Sequence, residues 1–453
     1  MNLTQCCEKL GTWLSKALNR CLYSVVIVVG ASLYASPAAA QNTIHVPADQ
    51  PTIQAGINAA QNGDTVLVAP GTYNENIDFK GKGITVTSAA TNYSGAVATV
   101  ITASAYGSVV SLVTNEPSTA VLNGFTIQGA SGPNANAPIA GIAIIGSSPT
   151  ITNNVVQLNI GCGIAVSQGA SPVIQGNDIR LNRAALTAQE PPGYCGGVAG
   201  TGLFINEAGT VTVTGNTIEE NTVIGAFTTI DGTNGPGIAA FSTRKVVLMN
   251  NIVRNNIGYD GRGLDYGITD TGPDTLIMVQ NLFYTDSSAP ANAGSVVYIG
   301  GAFQPPFPTV VEINNSIYSN EGLQGTYAAG SIIDNNITDQ VNTTLDGGIE
   351  CTGGAGTAPI TINNNDLGLP TIPNPDVCSL GAGNISLDPQ FVDPSTGNFQ
   401  VQRTSPVIAA GDITAPMIPA TDLAGRSAAP SIWASTKFIP SQPPSLPPPT
   451  TPP

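Results

Sequence analysis

Short runs in which apolar and polar residues alternate recur along this chain at a nearly fixed interval. Ser148-Pro-Thr-Ile-Thr-Asn-Asn-Val-Val-Gln-Leu-Asn159 is followed 23 residues later by Ser171-Pro-Val-Ile-Gln-Gly-Asn-Asp-Ile-Arg-Leu-Asn182. In both copies an Asn (154 or 177) has Ile three residues before it, Val or Ile two after it, and a second Asn five after it. The phrase returns as Val213-Thr-Gly-Asn216-Thr-Ile218-Glu-Glu-Asn221, Leu248-Met-Asn-Asn251-Ile-Val253-Arg-Asn-Asn256 and Met278-Val-Gln-Asn281-Leu-Phe283, with looser copies around Asn315, Asn336 and Asn365. Each copy is a short strand and a turn, which cannot bury its apolar side alone, so copies must stack. No helical run separates them. The pattern predicts an all-β fold, a single-stranded parallel β-helix, right-handed because crossovers between parallel strands almost always are.

Asn at a rung corner both donates and accepts, so stacked copies can bond to one another at a spacing of roughly 4.8 Å. Asn154, Asn177, Asn216, Asn251 and Asn281 are therefore expected to form a structural ladder. If the residue two after each ladder Asn points inward, the residue three after it points outward. That position reads Gln157, Arg180, Glu219, Arg254, Tyr284 and Tyr318 down the stack, a charged run that leads into aromatics. As an exposed line these side chains would suit a linear glycan, and replacing Arg254 and Tyr284 by Ala should then cost little stability. The competing account is that the charges only relieve like-charge stacking between neighbouring strands.

Ahead of the repeats, Asp49 or Thr52 can cap a short helix whose Ile53, Ile57 and Ala60 share one face, a fitting cover for the first open end of a solenoid. Residues 1–40 read as a secretory signal. Lys9, Lys16 and Arg20 precede an apolar run from Cys21 to Tyr34, and Ala38-Ala-Ala40 supplies small residues for cleavage. The expected organisation is signal 1–40, cap 41–62, β-helix with its closing segment 63–427, and a Pro-rich disordered tail 428–453.

Charge narrows the partners. Without residues 1–40 there are 11 Lys and Arg against 28 Asp and Glu, a net −17, which argues against nucleic acid and against a basic membrane-surface segment once the signal is removed. Oligomeric state is not readable. Four cysteines lie outside the signal, an even number in an exported chain, and the sequential pairs Cys162–Cys195 and Cys351–Cys378 are expected as disulfides. Paired His or CxxC spacing for a metal is absent.

Gly63-Asp-Thr-Val66 and Pro70-Gly-Thr-Tyr73-Asn-Glu75 after the helix resemble the opening of secreted bacterial right-handed β-helix proteins of the pectin-lyase-like superfamily. Asp388-Pro389-Gln-Phe391, Ser405-Pro406-Val-Ile-Ala-Ala-Gly411 and Thr421-Asp422-Leu-Ala-Gly425-Arg426 are similar to the closing segment of the same proteins. The resemblance spans residues 43–426. It implies a secreted or cell-surface protein, extracellular or periplasmic, with polysaccharide as partner, and it leaves catalysis open because one scaffold hosts many activities. Polygalacturonase-type hydrolysis is disfavoured, since the single histidine is His45 and no Asp-Asp pair exists. Pectin methylesterase is disfavoured for want of an Asp-Phe-x-Phe-Gly element. A polysaccharide lyase needs an Arg or Lys base, for which Arg254, Arg262 and Lys245 are candidates, and commonly Ca2+ to neutralise the uronate. Asp260, Asp265 and Asp270 are the candidate ligands, in an insertion that also carries Tyr259, and solvated loop charge is the competing reading. The rival to a glycan-binding or glycan-processing protein is a non-catalytic structural or adhesive solenoid.

Overall fold

The computed structural model describes residues 41–90, 98–132, 139–185, 201–224, 235–258, 262–268, 274–285, 296–301, 308–319, 323–325, 327–340, 348–351, 360–367, 378–418 and 420–423. The signal at 1–40 and the tail at 428–453 lie outside them. Among the described residues nearly all strands fall into three parallel sheets of 11, 10 and 10 strands, and each rung visits them in turn. The first sheet opens with Thr43–Val46, the second with Gly71–Asn74 and the third with Ile77–Asp78. This is a right-handed parallel β-helix. Alternate residues point inward, and Val, Ile and Leu from all three sheets form one continuous core from Val46 to Cys378.

Backbone chemistry sets the corner between the first and second sheets. From Val121–Asn123 onward it is always two residues long. The first has positive φ, as at Asn153, Gly176, Gly215, Asn250 and Asn314, a conformation that Gly and Asn tolerate best. The second is Phe125 at the first of these corners and the ladder Asn from Asn154 onward. Asn154 Nδ2 donates to Asn177 Oδ1 at 3.1 Å, Asn177 to Asn216 at 3.0 Å, Asn216 to Asn251 at 3.1 Å and Asn251 to Asn281 at 2.9 Å. The run continues through Asn315, Asn336 and Asn365 to Asn384. Each Oδ1 also accepts a backbone N–H from the preceding rung, so the corner's donors are satisfied without water. A second ladder stacks Asn159, Asn182, Asn221 and Asn256 where the chain leaves the second sheet.

The helix Ile53–Ala59 covers the first open rung, with Ile53 and Ile57 fully buried. Its N-cap is Thr52, whose Oγ1 accepts from Ala55 N at 3.1 Å. Glu75, the last residue of the Pro-Gly-Thr-Tyr-x-Glu motif, accepts the free N–H groups of Ile53 and Gln54, both at 2.9 Å, while Lys82 Nζ donates to the carbonyls of Ile57, Asn58 and Ala60 at the other end. Both charges complement the helix dipole. The motif's glutamate is thus a helix cap.

After the last rungs the chain turns back. The antiparallel pair Phe391–Asp393 and Asn398–Val401 lays Phe391, Phe399 and, beyond it, Val407 on the outer face of the second sheet, against Ile252, Leu282, Tyr284 and Ile337. Further on, Thr421 O accepts from Gln280 Nε2 at 2.7 Å and Asp412 exchanges two bonds with Asn335. Cys351 and Cys378 form a disulfide, Cα to Cα 6.0 Å. Cys162 is also disulfide-bonded, and its expected partner Cys195 lies outside the described residues.

Candidate functional site

The outward line of the second sheet exists in register. Gln157 pairs with Arg180, then follow Glu219, Arg254, Tyr284 and Tyr318 on successive strands. It is not an exposed line. Tyr284 is fully buried under Phe399, ring centroids 4.7 Å apart, and Tyr318 stands edge-on to Phe391 and Phe399. Glu219 is buried and ion-paired to Arg254, and Arg254 Nη1 donates to the Tyr284 hydroxyl at 2.8 Å. The expectation that Arg254 and Tyr284 are freely replaceable is corrected here: the closing segment turns the aromatic half of the line into core. Burial works to lower the Arg254 pKa, but Glu219 and Tyr284 outweigh it and drive it above the ordinary guanidinium value, so Arg254 is a poor Brønsted base. The open half carries Gln128, Gln157 and Arg180. Arg180 Nε donates to Gln157 Oε1 at 3.2 Å, Gln157 Nε2 to Gln128 Oε1 at 3.2 Å, and the Arg180 charge is paired with Asp178 at 3.0 Å. Burial pushes Asp178 up to about 6 against the pull of Arg180.

The other sequence candidates scatter. Lys245 opens the strand Lys245–Met249 of the first sheet, aligned with Thr210 and Thr275. Arg262 and Asp265 share the strand Arg262–Ile268 of the third sheet. Tyr259, Asp260 and Asp270 lie outside the described residues. Asp265 is buried, and among the described residues no three His, Cys, Asp or Glu cluster closely enough to hold a metal ion.

The third sheet carries a constellation that the repeat pattern conceals. Between residue 128 and the strand Ile349–Cys351 the longest connections border this sheet, either where the chain enters it from the second (129–139, 181–202, 220–237, 255–261, 285–295, 341–348) or where it leaves for the first (302–308). Since Leu264 and Tyr266 belong to the core, Asp265 between them faces out. Its column runs Ser111, Ala143, Ala165, Phe204, Ala239, Asp265 and Tyr298 in register. Beside it run Ser167, Asn206, Phe241, Gly267 and Gly300. Two glycines shape this face. A Cβ at Gly267 would lie 2.6 Å from the Phe241 ring, and one at Gly300 would lie 2.2 Å from the Tyr298 ring, so both rings lie flat on the sheet where any other residue would lift them. Phe204, Ala165 and Ala239 pack together as a small apolar cluster outside the main core, with Phe241 against it. The result is an aromatic floor with one carboxylate, at the place where inserted segments gather.

Comparison with known proteins agrees on architecture. Residues 112–304 match the family model described as "right handed beta helix region". No curated protein matches the chain in sequence. Among solved structures, pectate lyase Pel9A is similar at 14% identity and a TM-score of 0.46, over 84% of this chain and 94% of that one. An alginate lyase from Paenibacillus sp. is similar at 16% identity and 0.39, over 70% and 96%. A tailspike protein from an Acinetobacter baumannii bacteriophage, a capsular polysaccharide depolymerase, is similar at 13% identity and 0.38, over 80% and 63%. At such identities and TM-scores the likeness carries no argument, and the architecture rests on the strands themselves and on the family model.

Proposed function

We propose that the chain is an exported solenoid that binds an extracellular polysaccharide along the outer face of its third sheet. The observation that carries this reading is the pair of rings, Phe241 and Tyr298, laid on the sheet over Gly267 and Gly300. Sugars offer C–H faces that stack on aromatic rings. Phe241 and Tyr298, both half-buried, stand on strands two inter-strand steps apart, roughly 10 Å at the usual spacing, while Phe204 is buried beneath them as support. The segments inserted at both borders of this face accord with the tendency of insertions to gather on the binding side of a repeat array. Export is supported by the signal-like residues 1–40 and by the disulfides at Cys351–Cys378 and Cys162. The test is affinity electrophoresis through gels holding a panel of plant, algal and capsular polysaccharides. A polysaccharide that retards the wild type should no longer retard Tyr298→Ala or Phe241→Ala, while their thermal midpoints stay close to the wild-type value. Retention unchanged in both variants would remove this face from the reading, and no retention of the wild type by any member of the panel would favour the structural or adhesive solenoid.

A second reading, β-elimination on a uronate glycan, rests on the strand Arg262–Ile268 of the third sheet, whose sequence holds both a candidate base, Arg262, and Asp265. Absorbance of unsaturated product, followed with and without added Ca2+, decides it; no product from any uronate glycan would remove the lyase.

A further inference from the structure

We infer that the molecule has a separate sugar subsite at Tyr106, and that the ring it takes is uncharged. This inference rests on the reading of the chain as a glycan binder but concerns different residues. Tyr106 is the most exposed large hydrophobic side chain among the described residues, with 79% of its surface accessible. It stands at the rim of a shallow, widely open depression of about 440 Å3 lined by Ala103, Ser104, Ala105, Gly129 and Ser131. An exposed tyrosine beside a hollow floored by small residues is a stacking platform with room for a ring against it.

The loop that presents it is held in place beforehand. Asn76 Oδ1 accepts from Ser104 N and Ala105 N, both at 2.9 Å, and from Ser104 Oγ at 3.1 Å. Its Nδ2 donates to Ser108 O at 2.8 Å and to Ala105 O at 3.3 Å. Behind Tyr106, Gly107 N donates to Ser131 O at 2.7 Å, and a Cβ at Gly132 would come 3.0 Å from the Tyr106 Cβ, so a larger residue there would crowd the platform. A platform fixed this way loses little freedom when a ligand arrives.

The polar surroundings define the ligand. Ala103 and Gly129, in the cavity wall, directly follow Thr102 and Gln128, which begin the open half of the outward line. From there Gln128, Gln157 and Arg180 continue rung by rung as a chain of hydrogen bonds. Amide and hydroxyl groups of this kind match the donor and acceptor pattern of sugar hydroxyls. Among the described residues no charged side chain lines the cavity, and the nearest cation in the line, Arg180, is already paired with Asp178. A uronate or sulfated unit would therefore gain no counter-charge on a chain of net charge −15. The class that fits is a neutral hexose or pentose unit of a polysaccharide.

The experiment compares full-length wild type, Tyr106→Ala and Tyr298→Ala by titration calorimetry and saturation-transfer NMR. The probes are neutral oligosaccharides (gluco-, galacto-, manno- and xylo-oligomers), with oligogalacturonate and oligoalginate as acidic counterparts. The expected result is binding of at least one neutral oligomer, weakened about tenfold or more in Tyr106→Ala, with an unchanged thermal midpoint because the side chain is exposed. Saturation transfer from aromatic protons should disappear in the same variant. Undiminished binding in Tyr106→Ala together with loss in Tyr298→Ala would overturn the subsite while leaving the third-sheet reading intact. Loss in Tyr106→Ala with none in Tyr298→Ala would support the subsite and overturn that reading. Preference for the acidic oligomers would overturn the assignment of an uncharged ring, and no binding of any oligomer by the wild type would overturn both.

Discussion

Glu312 sits on the inward side of the strand Thr309–Ile313, in register between Met278 and Ile333, fully buried. Neither carboxylate oxygen has a hydrogen-bond partner among the described residues, and the buried hydroxyl of Tyr327, whose ionisation Glu312 opposes, has none either. Burial pushes the Glu312 pKa from 4.5 up to about 8, so the folded protein keeps this proton at neutral pH. The sign follows from linkage. Below about pH 4.5 both states hold the proton, and the group leaves stability unaffected. Between 4.5 and 8 the unfolded chain releases it while the folded chain retains it, so stability falls as pH rises, by about 1.4 kcal/mol per unit. Above 8 the loss levels off at about 5 kcal/mol. Glu312→Gln keeps the shape and removes the titration. Urea unfolding of both proteins at half-unit steps from pH 5 to 9 should give stability curves that separate steadily up to about pH 8 in favour of Gln, then run parallel. Gln brings its own constant cost for a buried amide, so the test is the slope of the difference and not its offset. Curves that stay parallel over the whole range would show that Glu312 finds a partner or water in solution, and the argument would fail.

Two other substitutions probe the spine and the sealed line. Asn216→Ala strands the backbone N–H of Asn177 and takes one acceptor from its Nδ2, both of which lose Asn216 Oδ1, and should cost about 1–3 kcal/mol, seen as faster hydrogen exchange in the strands on either side of Asn216. Arg254→Ala leaves Glu219 buried without its cation and should cost about 3–5 kcal/mol, with polysaccharide retention per folded molecule unchanged; a variant as stable as the wild type would put the closing segment elsewhere in solution.

What could be read in advance was whatever repeats. The ladder Asn and the inward Val or Ile recur because every rung poses the same problem, so period and register were legible down to the pairing of Gln157 with Arg180. The sealing of Tyr284 and Tyr318 was not, because the residues that cover them, Phe391 and Phe399, come from a part of the chain with no repeat to place it. The alternation rule gives the side of the sheet on which a residue stands and is silent on what else stands there. The third-sheet face was missed for a related reason. Phe204, Phe241 and Tyr298 occupy strands that follow insertions of unequal length, which erases their spacing. A usable signal existed in Gly267 and Gly300, small residues inside strands, which commonly mark a close approach by another group.

The fixed two-residue corner between the first and second sheets divides labour around the rung. A change in chain length there would shift an Asn out of its stack and propagate along the whole spine. Past the second ladder, at the borders of the third sheet, a change in length meets no such gauge, as the differing connections from 129–139 to 341–348 attest. The molecule therefore behaves like a bound book whose pages can be rewritten at one margin without resewing. Grafting a new segment between Gly258 and Arg262, or between Tyr284 and Val296, is the edit this architecture tolerates best, and it falls beside the aromatic floor.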